Sequence, residues 1–354
     1  MTTNIHNFTY PCLIGHQGGR RVLTICVTFD ALSRVLAADT YSHTLDRAQR
    51  ELNRRRASSF ADYVVNGLND QAGYIIPPLI GNVAGEIDVQ VSPDSPFFGM
   101  ITIPMNAQIV LFDGQHRHMG IIEVCQRLCN MQTQTVTLEL SENLSLEQRQ
   151  QFFSDINGNA SKPNAAINLA YDRTNPLSQM VREVVMSSPV LQGKTDFERT
   201  NITGKNQYWV SFKAICDSSA RFAKVGEDTD SERVKRELTA IWTGWEAFTG
   251  LSDASGSYSE FSQEWLTFTA VMVNGFGFAV QQLLETMTPP ELSERLHSMS
   301  AAATRRERDD FFLYEKWTGL CVSSETGKIV ANIRSQRAAA IRMVEAIKAG
   351  SYSI

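Results

Sequence analysis

The stretch Gln108-Ile-Val-Leu-Phe-Asp-Gly-Gln-His-Arg-His-Met-Gly-Ile-Ile-Glu-Val124 changes its hydrophobic period halfway along, and that change sets the fold around it. Ile109 to Phe112 is an unbroken apolar run, which reads as a buried strand and the central one of its sheet. Asp113 and Gly114 break the run, and apolar residues return at Met119, Ile121, Ile122, Val124 and Leu128 with roughly helical spacing. Asp113, Gly114, Gln115, His116 and Arg117 therefore fall on a strand-to-helix turn. A turn of this kind receives anions. The first turn of a helix leaves backbone N–H groups free, its dipole favours negative charge, and glycine lets a ligand approach the backbone.

Each side chain of the turn has a matching chemistry. Arg117 can hold a phosphate through two parallel hydrogen bonds, Gln115 can bond an oxygen, and Asp113 can hold Mg2+ or orient a water. His116 can serve as acid, base or phosphate donor, so Asp113 and His116 are the catalytic candidates. A purely structural reading stands beside this one: Asp113 caps the helix, Arg117 pairs with a nearby acid, and His116 lies on the surface.

The pentapeptide resembles the DGQHR-domain family, distant relatives of the ParB and sulfiredoxin fold. Within that family, the length and surroundings are most similar to the regulatory component of DNA sulfur-modification (phosphorothioation) systems. The ParB counterpart of the turn reads Gly-Glu-Arg-Arg, which matches Gly114 and Arg117 and departs at Gln115 and His116. Sulfiredoxin has Gly-Cys-His-Arg, so Gln115 stands where its catalytic cysteine would be, and sulfinic-acid repair is not expected. The resemblance is specific over the turn and extends from about Arg47 to Asn168. It implies an α+β fold, with a ParB/sulfiredoxin-like mixed sheet and helices in the N-terminal half. Family members also carry an Asn-rich segment with a Lys-Pro after the next helix, here Asn157, Asn159, Lys162 and Pro163. Asn157, Asn159 and Lys162 would complete a nucleotide pocket with the turn; the alternative is that Gly158, Asn159 and Pro163 simply end a helix.

The net charge of −5 conceals an asymmetry. Arg20 to Arg56 holds eight arginines against four acids, and Lys328 to Lys348 holds five basic residues against one. Segregation of this sort marks a localised polyanion site, and chance clusters on a mixed surface are the alternative. Arg47, Arg50, Arg54, Arg55 and Arg56 form the densest cluster, while Arg337 and Arg342 flank an apolar stripe of Ile333, Ala340, Val344 and Ile347. With the resemblance, these are expected to contact double-stranded DNA.

Along the chain, Phe8–Ile14 and Arg21–Phe29 read as a hairpin around Gly18 and Gly19, and a short helix from Asp30 to Ala38 follows. Arg47 to Arg56, a helical pattern at Phe60, Val64 and Leu68, and Tyr74-Ile-Ile-Pro-Pro come next. That order resembles the one ahead of the phosphate turn in ParB-like domains. Glu86–Val91, Met100–Pro104 and Val136–Leu140 read as strands, and Ser145 with Gln148 forms a capping box. Beyond Pro176 helical patterns dominate, at Leu177–Met186, Val210–Ala223, Ser231–Phe248, Phe261–Met287, Glu291–Met299 and Lys328–Lys348. The expected organisation is a DGQHR domain over 1–175 and a mostly α-helical domain over 176–354 whose core holds the five tryptophans.

Several classes are disfavoured. Six scattered cysteines without a C-x-x-C or a histidine cluster read as reduced thiols, not a zinc site. The uncharged stretch Trp265–Leu284 contains Asn274, Gln281 and Gln282, so it reads as a buried helix or helix pair, not a membrane span. The first residues show no signal-peptide pattern, and the expected compartment is the cytoplasm. Gly193-Lys194-Thr195 lacks the earlier glycine of a P-loop, Ser188 standing in its place. Two functions remain. One is a DNA-binding repressor of its own phosphorothioation gene cluster with a nucleotide- or phosphate-sensing turn. The other is an NTPase, with Mg2+ and ATP, GTP or CTP, that supports DNA sulfur modification or restriction. The implied partners are double-stranded DNA, other sulfur-modification proteins and further copies of the chain.

Overall fold

In the computed structural model, which describes residues 7–36, 53–70, 73–105, 107–159, 164–202, 207–226 and 229–354, two strands open the chain. β1 (Asn7–Gln17) and β2 (Arg20–Thr28) pair antiparallel across the Gly18-Gly19 turn. α1 (Phe29–Val35) follows at once. Its cap is Thr28, whose hydroxyl accepts from the Ala31 amide, and Asp30 sits in the first turn, where its charge favours the dipole. The helix thus starts earlier than the charge pattern suggests.

α2 (Arg54–Asn69) is capped by Asn53. β3 (Leu79–Ala84), β4 (Asp88–Ser92), β5 (Ser95–Pro104) and the motif strand β6 (Gln108–Asp113) come next, β4 and β5 joined by a tight turn at Pro93 and Asp94. α3 (Gln115–Arg127), β7 (Thr135–Glu142) and α4 (Leu146–Asn159) complete the set. The capping box forms: the Gln148 amide donates to Ser145 Oγ, and the Ser145 amide to Gln148 Oε1. The seven strands make one mixed sheet in the order β4-β5-β1-β2-β7-β3-β6, with β3 and β7 parallel and the other neighbours antiparallel. β6 is therefore an edge strand, not the central one its apolar run suggested. It is buried because both faces are covered. Ile109 and Leu111 enter the main core with Leu23, Leu138, Ile121 and Val124, while Phe112 packs on Leu144, Phe152 and Phe153 on the opposite side.

α2 and α3 lie side by side and parallel: the Asn53 amide meets His116, Ser58 meets Glu123, and Asp62 meets Arg127. Gly120 makes this approach possible, since a Cβ there would sit 2.6 Å from Phe60 Cδ1 and 2.8 Å from Ala57 O.

The chain divides into two compact units, Met1–Ser161 and Lys162–Ile354. The second is helical: α5 (Ala165–Tyr171), α6 (Pro176–Ser187) and α7 (Pro189–Lys194) precede a two-stranded parallel pair, β8 (Thr195–Asp196) and β9 (Val210–Ser211). α8 (Phe212–Phe222), α9 (Ser231–Thr249), α10 (Tyr258–Glu264), α11 (Ala270–Leu283), α12 (Pro289–Ala302), α13 (Arg305–Phe311) and α14 (Ile333–Ala349) follow. Trp242, Trp245 and Trp317 are fully buried among Phe248, Phe276 and Phe312. α11 packs between α8 and α14 with ten of its fourteen residues buried, which accounts for the uncharged stretch. Among the described residues, no helix is long and apolar enough to cross a membrane. The pattern expected from Phe261 to Met287 is two helices, because the Leu266 amide leaves the helix to donate to Phe312 O at 2.9 Å. α14 likewise starts at Ile333 instead of Lys328, and Ile333 itself is exposed and outside the apolar stripe.

Candidate functional site

The turn Asp113–Arg117 leaves the end of β6 and enters α3 through Gly114, which adopts φ 94°, ψ 11° as N-cap. No side chain caps α3, so the amides of Gln115, His116 and Arg117 are left by helix geometry without an intrahelical acceptor. Across from the turn, the β3–β6 pairing slips by one residue, so that Asp113 faces Ile80 and Leu111 faces Gly81. Such a bulge re-aims the strand end.

Asp113 does not cap the helix. Its carboxylate accepts from Arg117 Nη2 at 2.7 Å, and the same nitrogen donates to Pro78 O at 3.0 Å. Arg117 is thereby held across Gly114, and its Nε is buried without a hydrogen-bond partner among the described residues. Gln115 is only 8% exposed, and its Nε2 is likewise without a partner there. His116 is half-buried and its Nε2 accepts from the Asn53 amide at 3.1 Å, which ties α3 to the start of α2. His118 points elsewhere in the same turn, and burial pushes its pKa down to about 4, so it is neutral.

These residues open into a cleft of about 360 Å³. α2 supplies Arg56, Phe60 and Tyr63, the connection before β3 supplies Ile75 and Pro77, β6 supplies Phe112, and α4 supplies Phe153 and Asn157. Two parallel helices thus present their N-termini at one place, and each N-terminus carries a partial positive charge of roughly half a unit. Arg54, Arg55 and Arg56, all exposed, occupy the first turn of α2, which holds no acid. Cations there oppose the dipole at a cost of about 0.3–1 kcal/mol each. An arrangement that concentrates positive potential against aromatic and apolar walls is suited to a phosphate ester with a planar group.

Among the residues singled out from sequence, Asp113, Gly114, Gln115, His116, Arg117, Arg56 and Asn157 line this cleft. Asn157 lies in the last turn of α4, where its Nδ2 donates to Phe153 O at 2.7 Å. Asn159 ends α4, its side chain not being among the described atoms, and Lys162, Arg47 and Arg50 lie outside the described residues. Arg337 stacks on Phe278, 5.4 Å from the ring centroid. Arg342 lies over Trp317 and Phe311 and donates to Lys316 O, all within the second unit. Phe60, Tyr63, Ile75, Pro77, Phe112 and Phe153 were not singled out. Phe60 and Tyr63 carry a helical spacing and Phe112 ends an apolar strand run, signals shared with ordinary core positions. Among the described residues, no cluster of three or more His, Cys, Asp or Glu could hold a metal, and Asp113 is already engaged by Arg117.

Fold and site define an α+β protein whose edge strand ends in a strand-to-helix turn that opens into a cleft walled in part by aromatic residues. The chain belongs to the DndB family, described as DNA-sulfur modification-associated, whose pattern it matches over residues 10–349. The family ties the chain to DNA sulfur modification. No curated protein and no solved structure matches it significantly.

Proposed function

We propose that the chain is a DNA-binding regulator in DNA sulfur modification, repressing its own gene cluster, with a nucleotide bound at the Asp113–Arg117 turn as its signal. The observation that carries this reading is the position of Arg56, which lines the cleft and also ends the exposed run Arg54-Arg55-Arg56. A phosphate in the cleft and a DNA backbone on the arginines would act on the same first turn of α2. Binding at one would then change affinity at the other, and linkage makes that coupling reciprocal. The nucleotide phosphate meets the positive N-terminal end of α3 and Arg117 Nε, while the base has Phe60, Tyr63 and Phe153 to lie against. Asp113 is a positioning residue that holds Arg117 in place. The resemblance of the turn to ParB-like domains supports the same assignment.

Calorimetric titration of the purified chain with ATP, GTP and CTP tests the cleft. Binding by the wild type that disappears in Arg117→Ala supports the reading. Binding of none of the three, or binding indifferent to Arg117→Ala, removes it. Release of inorganic phosphate from the same samples, abolished by Arg117→Ala, would replace the regulator with an NTPase.

A further inference from the structure

A second cleft, in the second unit, is built on the same device and has no part in the function proposed above. α8 and α11 also pack side by side and parallel. Ser211 and Ala214 at the start of α8 share the cleft with Thr269, Ala270 and Val271 at the start of α11. Two turns further on, Ser218 lies against Gly277, where a Cβ would be 2.6 Å from Ser218 O. Both N-termini therefore open at one end, into a cleft of about 280 Å³.

Neither helix is capped by a side chain. Ser211, the N-cap of α8, makes no cap bond, and Thr269, the N-cap of α11, donates its hydroxyl to Leu266 O instead. Ala214, Ala270 and Val271 stand in the first turns, where the helix offers their amides no acceptor. Ser211 supplies a separate observation. The residue is 3% exposed, it lines the cleft, and its Oγ has no hydrogen-bond partner among the described residues. Buried hydroxyls are seldom left this way unless something else satisfies them.

The neighbouring charges are already engaged. Asp196, beside Ser211 across β8 and β9, accepts from the amides of Glu198 and Arg199 and pairs with the Arg199 guanidinium. Lys213 pairs with Asp217 at 2.5 Å. Among the described residues, the cleft lining carries no charged side chain: its polar groups are the Ser211 hydroxyl, the side chains of Thr200, Asn201 and Tyr258, and two positive helix ends, with Ile202, Phe268 and Ile329 as apolar walls. That set suits an oxyanion stripped of water, and it holds one without a paired cation.

We infer that this cleft is a phosphate site, taking inorganic phosphate or the phosphate end of a nucleotide. Calorimetry on the full chain with inorganic phosphate and with adenosine monophosphate tests it in the wild type, Ser211→Ala and Ser211→Asp. Ser211→Ala removes one charge-assisted hydrogen bond and should weaken one binding event roughly tenfold or more, with the melting temperature unchanged or raised. Ser211→Asp places a fixed carboxylate in the cleft and should abolish that event. The event should persist in Arg117→Ala, so that it stands or falls apart from the first cleft. Saturation by phosphate alone identifies the free ion as ligand, and tenfold tighter binding of the monophosphate identifies the nucleotide. Absence of binding by either probe at millimolar concentration, or binding equal in the wild type and Ser211→Ala, overturns the inference.

Discussion

Gly114→Ala puts the geometry of the turn to a quantitative test. Gly114 sits at φ 94°, a left-handed backbone that costs an L-residue about 1–2 kcal/mol. The added Cβ would lie 2.6 Å from Leu79 Cδ2 and 3.0 Å from Arg117 Nη2. Leu79 is fully buried and cannot retreat, so overpacking adds about 1 kcal/mol or more. The expected loss is about 2–4 kcal/mol, and Arg117 is pushed off Asp113. All five tryptophans lie after residue 200, so intrinsic tryptophan fluorescence follows the second unit. The assay for the first unit is instead amide hydrogen exchange in β6 and α3. Protection there should fall by the stated free energy, while the fluorescence transition of the second unit stays in place. Gly158→Ala is the control: a Cβ there meets nothing within 4 Å, and on the α4 helix alanine should be neutral or stabilising by up to about 1 kcal/mol. If Gly114→Ala matches the wild type in exchange, the turn does not have the described conformation, and the case for an open backbone at the cleft fails.

Other expectations concern charge. Arg54→Ala with Arg55→Ala should weaken binding to operator and random DNA alike and lower the salt slope by roughly two, read from gel shifts across salt concentration. Arg342→Ala should leave that slope unchanged but lower the stability of the second unit by about 1–2 kcal/mol, read by tryptophan fluorescence in urea, because it removes the cation over Trp317 and Phe311. His118 is held neutral by burial down to about pH 4, whereas in the unfolded chain it protonates near 6.5. The unfolded state therefore binds the extra proton, and stability should fall as pH drops from about 6.5 towards 4. The contribution is on the order of 3 kcal/mol, and His118→Gln should flatten it in pH-dependent denaturation.

The elements were legible in the sequence wherever the pattern was local. The change of period at Asp113 placed β6 and α3, the Gly-Gly turn placed the first hairpin, and Ser145 with Gln148 placed the start of α4. Position within the sheet was not legible. An apolar run states only that a strand is buried, and β6 is buried by helices on both faces although it lies at the edge. The same limit applies to the cleft. Asp113–Arg117 announced themselves through the turn, but Phe60, Tyr63 and Phe153 reach it from helices distant in sequence and look like core residues. Ser211 gave no signal because its meaning comes from a missing partner, which only the packing of α8 on α11 reveals.

The central claim is that a nucleotide in the Asp113–Arg117 cleft alters DNA binding through the first turn of α2. The most direct test is fluorescence anisotropy of labelled operator DNA, titrated with wild type and Arg117→Ala, with and without saturating nucleotide. The expected result is a nucleotide-dependent shift in wild-type affinity that vanishes in Arg117→Ala, while nucleotide-free binding of the two proteins stays equal. Wild-type DNA affinity unmoved by any bound nucleotide, or a shift retained in Arg117→Ala, would contradict it.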